Sequence, residues 1–365
     1  MSTMSDLQKS LQSTVEAAVS DGLPGMTFGA LWRNASGDIQ RVWASSGSLK
    51  LPQEGKTVDV LPDTILPVLS CTKLIVAIAV MQLVERGEIA LDDLVNDILP
   101  ELIANGIAQE DGSRLPLSAP MTVKALLTHT AGLGFQPTSR VLGAWYTKQS
   151  EDYKAQFPPF IGWDFPSAAE PGKVWAYSHS LDWLGRLIAR KTGLSLEAGS
   201  AADLALQIQI FFEKKSHFEL PQWGLFIPGS SVQWLGVSPY ATPGTENNGG
   251  AGGITTMRHF AEIAALLITG GVGLSTGRRV LKQETVQEML RDQLTPMGIT
   301  YPPVHEPSIT MQVLNDDGSF PTEIKTGRGV KKTFTFAGEM NLESLENGRG
   351  GGSVSWGGAP GIYWS

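Results

Sequence analysis

The 365-residue sequence holds one cysteine, no apolar run of membrane-spanning length and no surplus of positive charge. A lone Cys71 excludes an internal disulfide framework and fits a reducing compartment, so a cytoplasmic location is expected. The amino terminus lacks the apolar core of a secretory signal, and without a spanning segment no membrane partner is expected. Against 36 acidic residues stand 28 basic ones, a formal charge of −8. No basic face interleaved with aromatics appears, which argues against nucleic acid as a partner. His129, His179, His217, His259 and His305 show neither HExxH nor a close carboxylate pattern, so neither metal nor other cofactor is expected.

What is present suits a large packed globule: 42% of residues are hydrophobic and 18% charged. Leu7, Leu11, Val15 and Val19 mark one stripe of an amphipathic first helix. Met26 to Arg33 and Asp38 to Trp43 read as two strands joined at Asn34-Ala35-Ser36-Gly37. Residues 72 to 87 are apolar nearly all round, which predicts an enclosed helix. Met121 to Leu127, Leu181 to Thr192, Met257 to Thr269 and Thr285 to Leu290 carry helical spacing, and beyond residue 330 strand-like composition returns. This order predicts an α/β (α+β) fold: an antiparallel sheet built from both chain ends, flanked by helices, with a mainly helical region inserted. The expected division is 1–70 with 330–365 as the sheet-containing region and 71–329 as the helical one. The tract from Phe135 through Pro171 holds Trp145, Tyr146, Tyr153, Phe157, Phe160, Trp163 and Phe165. It is either a loop packed by its own side chains or a wall over an apolar substrate.

One stretch raises a chemical question. In LSCTKL, residues 69 to 74, a lysine stands at the mouth of the apolar run LIVAIAV, where a charged head group is costly unless paired. Ser70 and Lys73 are three residues apart and share a helix face. A serine hydroxyl needs a base, and an amine near apolar walls and a helix N-terminus is placed to be one. SxxK alone also fits an N-capping serine followed by a solvent-seeking lysine.

The sequence resembles the serine β-lactamase and penicillin-binding-protein superfamily, in its class C-like branch of family VIII carboxylesterases and fungal lovastatin-type transesterases. The resemblance runs through LSCTKL, LVERGEIALDDLVNDILPEL, MTVKALLTHTAGL, PGKVWAYSHSLDWLGRLI, GGAGGITTMRHF and WGGAPGIYW. It implies a β-lactamase-like fold and the acid/base group Ser70, Lys73 and Tyr177. It implies an oxyanion hole from the N–H groups of Ser70 and Ala359, and substrate contacts from His179, Trp356, Gly357, Gly358 and Trp364. His179 replaces the asparagine that class C enzymes carry two positions after the tyrosine. Lys325-Thr326-Gly327 is a second candidate for the third motif. WGG in place of KTG removes a cation suited to a β-lactam carboxylate and favours esters or thioesters.

Two decoys are set aside. Gly273 to Gly277 fits the GxSxG elbow but follows a helix rather than a strand, and GGAGG lacks a following GK[ST], so it reads as a turn into a helix capped by Thr255 or Thr256. His129 reads as structural, and Cys71 as a small buried hydrophobe. The expected activity is acyl transfer from an ester or thioester, which a carrier can hold, to an alcohol through a Ser70 acyl-enzyme. The alternatives are a carboxylesterase, with water as acceptor, and a catalytically impaired homologue. The last applies only if the superfamily's further strands and closing helix, expected after GIYW, are absent from the protein itself and not merely from this sequence.

Overall fold

The structure is a computed structural model. It describes residues 4–51, 55–157, 164–194, 249–301, 331–344, 349–358 and 362–365, with the short strands 211–212, 223–225 and 233–236. Helix α1 (Met4–Ser20) packs on the hairpin of β1 (Gly25–Arg33) and β2 (Ile39–Lys50), whose register runs from Gly25 opposite Gly47 to Arg33 opposite Ile39. Strand β3 (Thr57–Asp59) extends this sheet beyond β2. β2 is longer than its sequence predicts. Past Trp43 it continues through small and polar residues of low strand propensity, held by pairing on both sides.

Strand β4 (Ile65–Pro67) leads through a 3₁₀ turn (Leu69–Cys71) into α2 (Thr72–Glu85). Every residue of α2 from Thr72 to Leu83 is buried. Leu74, Ile75, Val76, Ile78, Val80, Met81 and Leu83 anchor the main core cluster. Each large apolar side chain removed from water contributes about 1.5–3 kcal/mol, so α2 is firmly held. α7 (Ser180–Thr192) packs on α2, and α4 (Val123–Leu127) packs on α7; along the chain between α2 and α7 come also α3 (Pro100–Ala104), the pair β5 (Ile107–Ala108) and β6 (Arg114–Leu115), α5 (Arg140–Thr147) and α6 (Glu151–Gln156).

The short strands β7 (Phe211–Phe212), β8 (Trp223–Leu225) and β9 (Gln233–Gly236) precede β10 (Gly253–Thr256). β10 lies far along the chain, yet pairs antiparallel with β4, Ile254 opposite Pro67. Thr256 then caps α8 (Met257–Thr269), its hydroxyl accepting from His259 N–H. After α9 (Gln283–Met289), strands β11 (Lys332–Phe334), β12 (Glu339–Asn341), β13 (Val354–Gly358) and β14 (Ile362–Trp364) form an antiparallel meander. Both chain ends therefore supply antiparallel strands; among the described residues they form separate sheets, β1-β2-β3 and β11-β12-β13-β14. Among the described residues no helix is long and apolar enough to cross a membrane.

Candidate active site

The turn that presents Ser70 is clamped from β10. Val68 N–H donates to Gly253 O at 2.8 Å, and Gly253 N–H donates to the Thr72 hydroxyl at 2.9 Å. Thr72 in turn donates to Leu69 O at 2.5 Å. A Cβ on Gly253 would lie 2.7 Å from Thr72 Oγ1, so only glycine lets β10 come this close. Leu69 has φ +43°, a left-handed conformation that costs a non-glycine residue on the order of 1–2 kcal/mol. Burial of α2 holds this strained turn in place, with Cys71 pointing into the core and its thiol pushed up to about 12 by burial. Cys71 is thus a packed hydrophobe and not a rival thiolate.

Three side chains meet at this turn. Tyr177 OH donates to Ser70 Oγ at 2.7 Å, and Lys73 Nζ lies 3.3 Å from the same oxygen. Lys73 is only 7% exposed. It donates to Gly250 O at 2.6 Å and sits 4.7 Å above the Tyr177 ring, so its burial is matched by an acceptor and a π face. A small, partly open cavity lined by Lys73, His129, Leu181, Gly338 and Trp356 adjoins the three side chains.

Tyr177 precedes α7 and is positioned by rings. His129, Phe135 and Trp356 stand at centroid distances of 4.9, 5.3 and 5.1 Å. His129 has φ +56°, takes Ala176 N–H on its carbonyl at 2.9 Å and shares a hydrogen with Ser178 Oγ at 3.1 Å. Burial, with Lys73 and His179 adding to it, holds the His129 imidazole well below the ordinary histidine range. It is a neutral brace behind the tyrosine, in keeping with a structural reading. His179 is likewise driven down to about 3 by burial and by Lys73, so it too is neutral at physiological pH. Its Nδ1 faces Asp182 Oδ2 at 3.9 Å, and Phe135 meets its ring at 4.1 Å.

Strand β13 supplies the opposite wall. A Cβ on Gly358 would lie 2.9 Å from Val68 O and 3.1 Å from Ser70 N, so the strand edge touches the Ser70 turn only because that residue is glycine. Trp356 is buried between Tyr177 and Phe334, and Trp364, opposite it in the β13–β14 register, is half-buried. Gly357 lies between Trp356 and Gly358 on the same edge. The indole N–H groups of Trp356 and Trp364 and Nε2 of His179 are buried without a hydrogen-bond partner among the described residues. Ala359 and Lys325-Thr326-Gly327 lie outside the described residues.

The aromatic tract divides. Trp145 and Phe165 are buried with Leu142 and Ala108, and Tyr146, Tyr153 and Phe157 pack on them, which makes this part a satellite core. Phe135 alone among the tract's described aromatics stacks on Tyr177 and His179; Phe160 and Trp163 lie outside the described residues. Sequence reasoning missed Asp182 and Gly250. Asp182 is buried on α7, its Oδ1 accepting Gly250 N–H at 3.1 Å. The available signal was a single acidic residue between Leu181 and Trp183 on an otherwise apolar turn. No group of three or more His, Cys, Asp or Glu side chains suited to a metal occurs among the described residues.

A profile of the β-lactamase family matches residues 36–361. The chain belongs to the β-lactamase family. Within that family it is 27% identical to acyltransferase calJ of Penicillium decumbens, over 83% of this chain and 72% of that protein. It is 35% identical to lovastatin esterase of Penicillium rubens over 141 residues, covering 37% and 35% of the two chains. In fold it is similar to simvastatin synthase from Aspergillus terreus, with a TM-score of 0.74 at 23% identity over 98% of this chain and 88% of that one. Acyltransferases and esterases are thus among the relatives of this β-lactamase-family chain, and a β-lactamase-like fold carries the site.

Proposed function

We propose that the chain is a serine acyltransferase that moves an acyl group from an ester or thioester to an alcohol. The observation that carries this reading is the convergence on Ser70 Oγ of Tyr177 OH at 2.7 Å and Lys73 Nζ at 3.3 Å. In the first half-reaction Ser70 Oγ bonds to the acyl carbonyl carbon while its proton passes to the Tyr177–Lys73 pair. The Ser70 N–H, beside Gly358, is a donor for the resulting oxyanion. Collapse breaks the bond to the donor's thiol or alcohol, which leaves with the proton. In the second half-reaction an alcohol gives its proton to the same pair, attacks the acyl-enzyme and releases Ser70.

The alcohol as acceptor is supported by the acyltransferase relatives and by the aromatic enclosure of Phe135, Tyr177 and Trp356, which disfavours water. A carboxylesterase uses the same acyl-enzyme with water as acceptor, a reading supported by the esterase relatives. The donor is a small-molecule ester or thioester, whether free or carrier-bound, and secondary metabolism in the cytoplasm is the proposed setting.

The test is intact-protein mass spectrometry after mixing with a short-chain p-nitrophenyl ester, followed by addition of alcohols. A Ser70-linked acyl adduct that disappears into a new ester is the expected result. An adduct that decays to free acid at the same rate with or without alcohol supports the esterase. Equal p-nitrophenol release from the parent and Ser70→Ala proteins overturns both readings and leaves an impaired homologue.

A further inference from the structure

Asp182 is the one buried carboxylate next to Lys73 among the described residues, and it does not touch the reacting hydroxyl. Its Oδ1 accepts Gly250 N–H at 3.1 Å, and the Gly250 carbonyl accepts Lys73 Nζ at 2.6 Å. A Cβ on Gly250 would lie 2.2 Å from Asp182 Oδ2, and one on Gly249 would lie 2.5 Å from Leu181 O. Gly249 and Gly250 of the GGAGG turn are therefore pressed onto the first turn of α7 with no room for side chains. The same helix start follows directly from Tyr177. One acidic residue thus fixes the two loops that bring Lys73 its acceptor and Ser70 its phenol.

We infer that Asp182 is a positioning residue for acyl transfer, holding the Gly250 carbonyl on Lys73 and setting the charge beneath that lysine through its own negative charge. The inference rests on Ser70, Lys73 and Tyr177 being the acyl-transfer centre. Lys73 on α2 and His179, just ahead of α7, are the titratable groups that face Asp182; the GGAGG turn carries no titratable side chain. His129 stands further off, behind Tyr177.

Burial raises the Asp182 carboxyl to about 6, with Lys73 and the Gly250 N–H pulling the other way. The sign follows directly. A carboxyl raised above its unfolded value of 3.8 makes the folded protein bind the extra proton between those values, so the ionised form costs stability at neutral pH. Keeping it there makes functional sense only if the charge is used. Asp182→Asn retains an oxygen for Gly250 N–H and removes the charge.

The experiment measures p-nitrophenyl ester turnover, thermal midpoint and Ser70 adduct formation from pH 5 to 8 in the parent, Asp182→Asn and Asp182→Ala proteins. For Asp182→Asn the expected result is a thermal midpoint at pH 7.5 equal to or above the parent's, with kcat lowered about 10- to 100-fold, as a slight misplacement of the base produces. KM stays within about twofold, and the acid limb near pH 6 disappears. Asp182→Ala loses stability as well. Parental kcat with an unchanged acid limb in Asp182→Asn overturns the inference, as does a kcat loss that only tracks a falling midpoint. If neither variant folds, Gly250→Ala, whose added Cβ would meet Asp182 Oδ2 at 2.2 Å, displaces the same turn: a lowered kcat at a parental thermal midpoint supports the inference, and parental kcat overturns it. A parent that forms no Ser70 adduct removes the acyl-transfer reading itself, a failure separable from that of Asp182.

Discussion

Ser70 lies in SxxK at the head of the most buried helix, whereas Ser275 lies in GxSxG in an exposed turn behind α8. Both patterns belong to serine hydrolases. Around Ser70 the backbone is strained at Leu69, a glycine edge touches the Ser70 amide, and two proton-carrying side chains reach the hydroxyl. Around Ser275 one carboxylate does everything: Glu262 accepts both the backbone N–H, at 3.1 Å, and the hydroxyl, at 2.7 Å. An amide already given to a carboxylate has nothing left for an oxyanion. Three fixed letters in five positions are therefore less informative than the element that precedes them, a helix at Ser275 and a strand leading into a turn at Ser70.

Substitutions put this contrast to the test, and the largest effect belongs to Ser70→Ala. Ester turnover should fall by about 10⁴-fold or more, as loss of a nucleophile does elsewhere, with no acyl adduct by mass spectrometry. Stability should hardly change, because the side chain is partly exposed at the turn. An adduct appearing on another serine would undo the contrast at its root. Tyr177→Phe comes next. It keeps the ring between His129, Phe135 and Trp356 and deletes only the hydroxyl on Ser70. The expected loss in kcat is about 10²- to 10⁴-fold, the range of general acid–base catalysis. A Phe variant within about threefold of the parent would hand the proton work to Lys73 alone.

Gly358→Ala tests the other side of the Ser70 turn. The added methyl group meets Val68 O and Ser70 N at 2.9 and 3.1 Å, so strand or turn must move. A cost of about 1–3 kcal/mol in denaturant unfolding is expected, with kcat down by up to about 100-fold from displacement of the nucleophile. Unchanged kcat would place the strand edge outside the catalytic geometry.

Local and distant features were not equally legible. Helix α2, the opening hairpin, α8 and the Thr256 cap follow from periodicity and capping chemistry that neighbouring residues carry on their own. Ser70, Lys73 and Tyr177 came from a short helical spacing joined to a family resemblance. The link from Asp182 through Gly250 to Lys73 could not be read, because it joins three segments through the antiparallel pairing of β4 with β10. The aromatic tract shows a second limit. A self-packed loop and a substrate wall both bury rings, and only coordinates separate Trp145, in its satellite core, from Phe135, on Tyr177.

Ser275→Ala should have the smallest effect and gives the contrast its control. The hydroxyl bond to Glu262 is lost, while the backbone N–H still reaches the same carboxylate and the turn keeps its Gly277 N–H to Gly273 O bond. Because residue 275 is exposed, water can replace the lost partner, and the cost should stay near 0.5–1.5 kcal/mol. Arg41 also approaches Glu262, at 3.9 Å, so the carboxylate keeps a neighbour of opposite charge. Turnover at parental rates, with the Ser70 adduct intact, would show that the elbow letters here serve only to close a turn behind α8. A drop in kcat without a matching drop in stability would instead make Ser275 part of the chemistry.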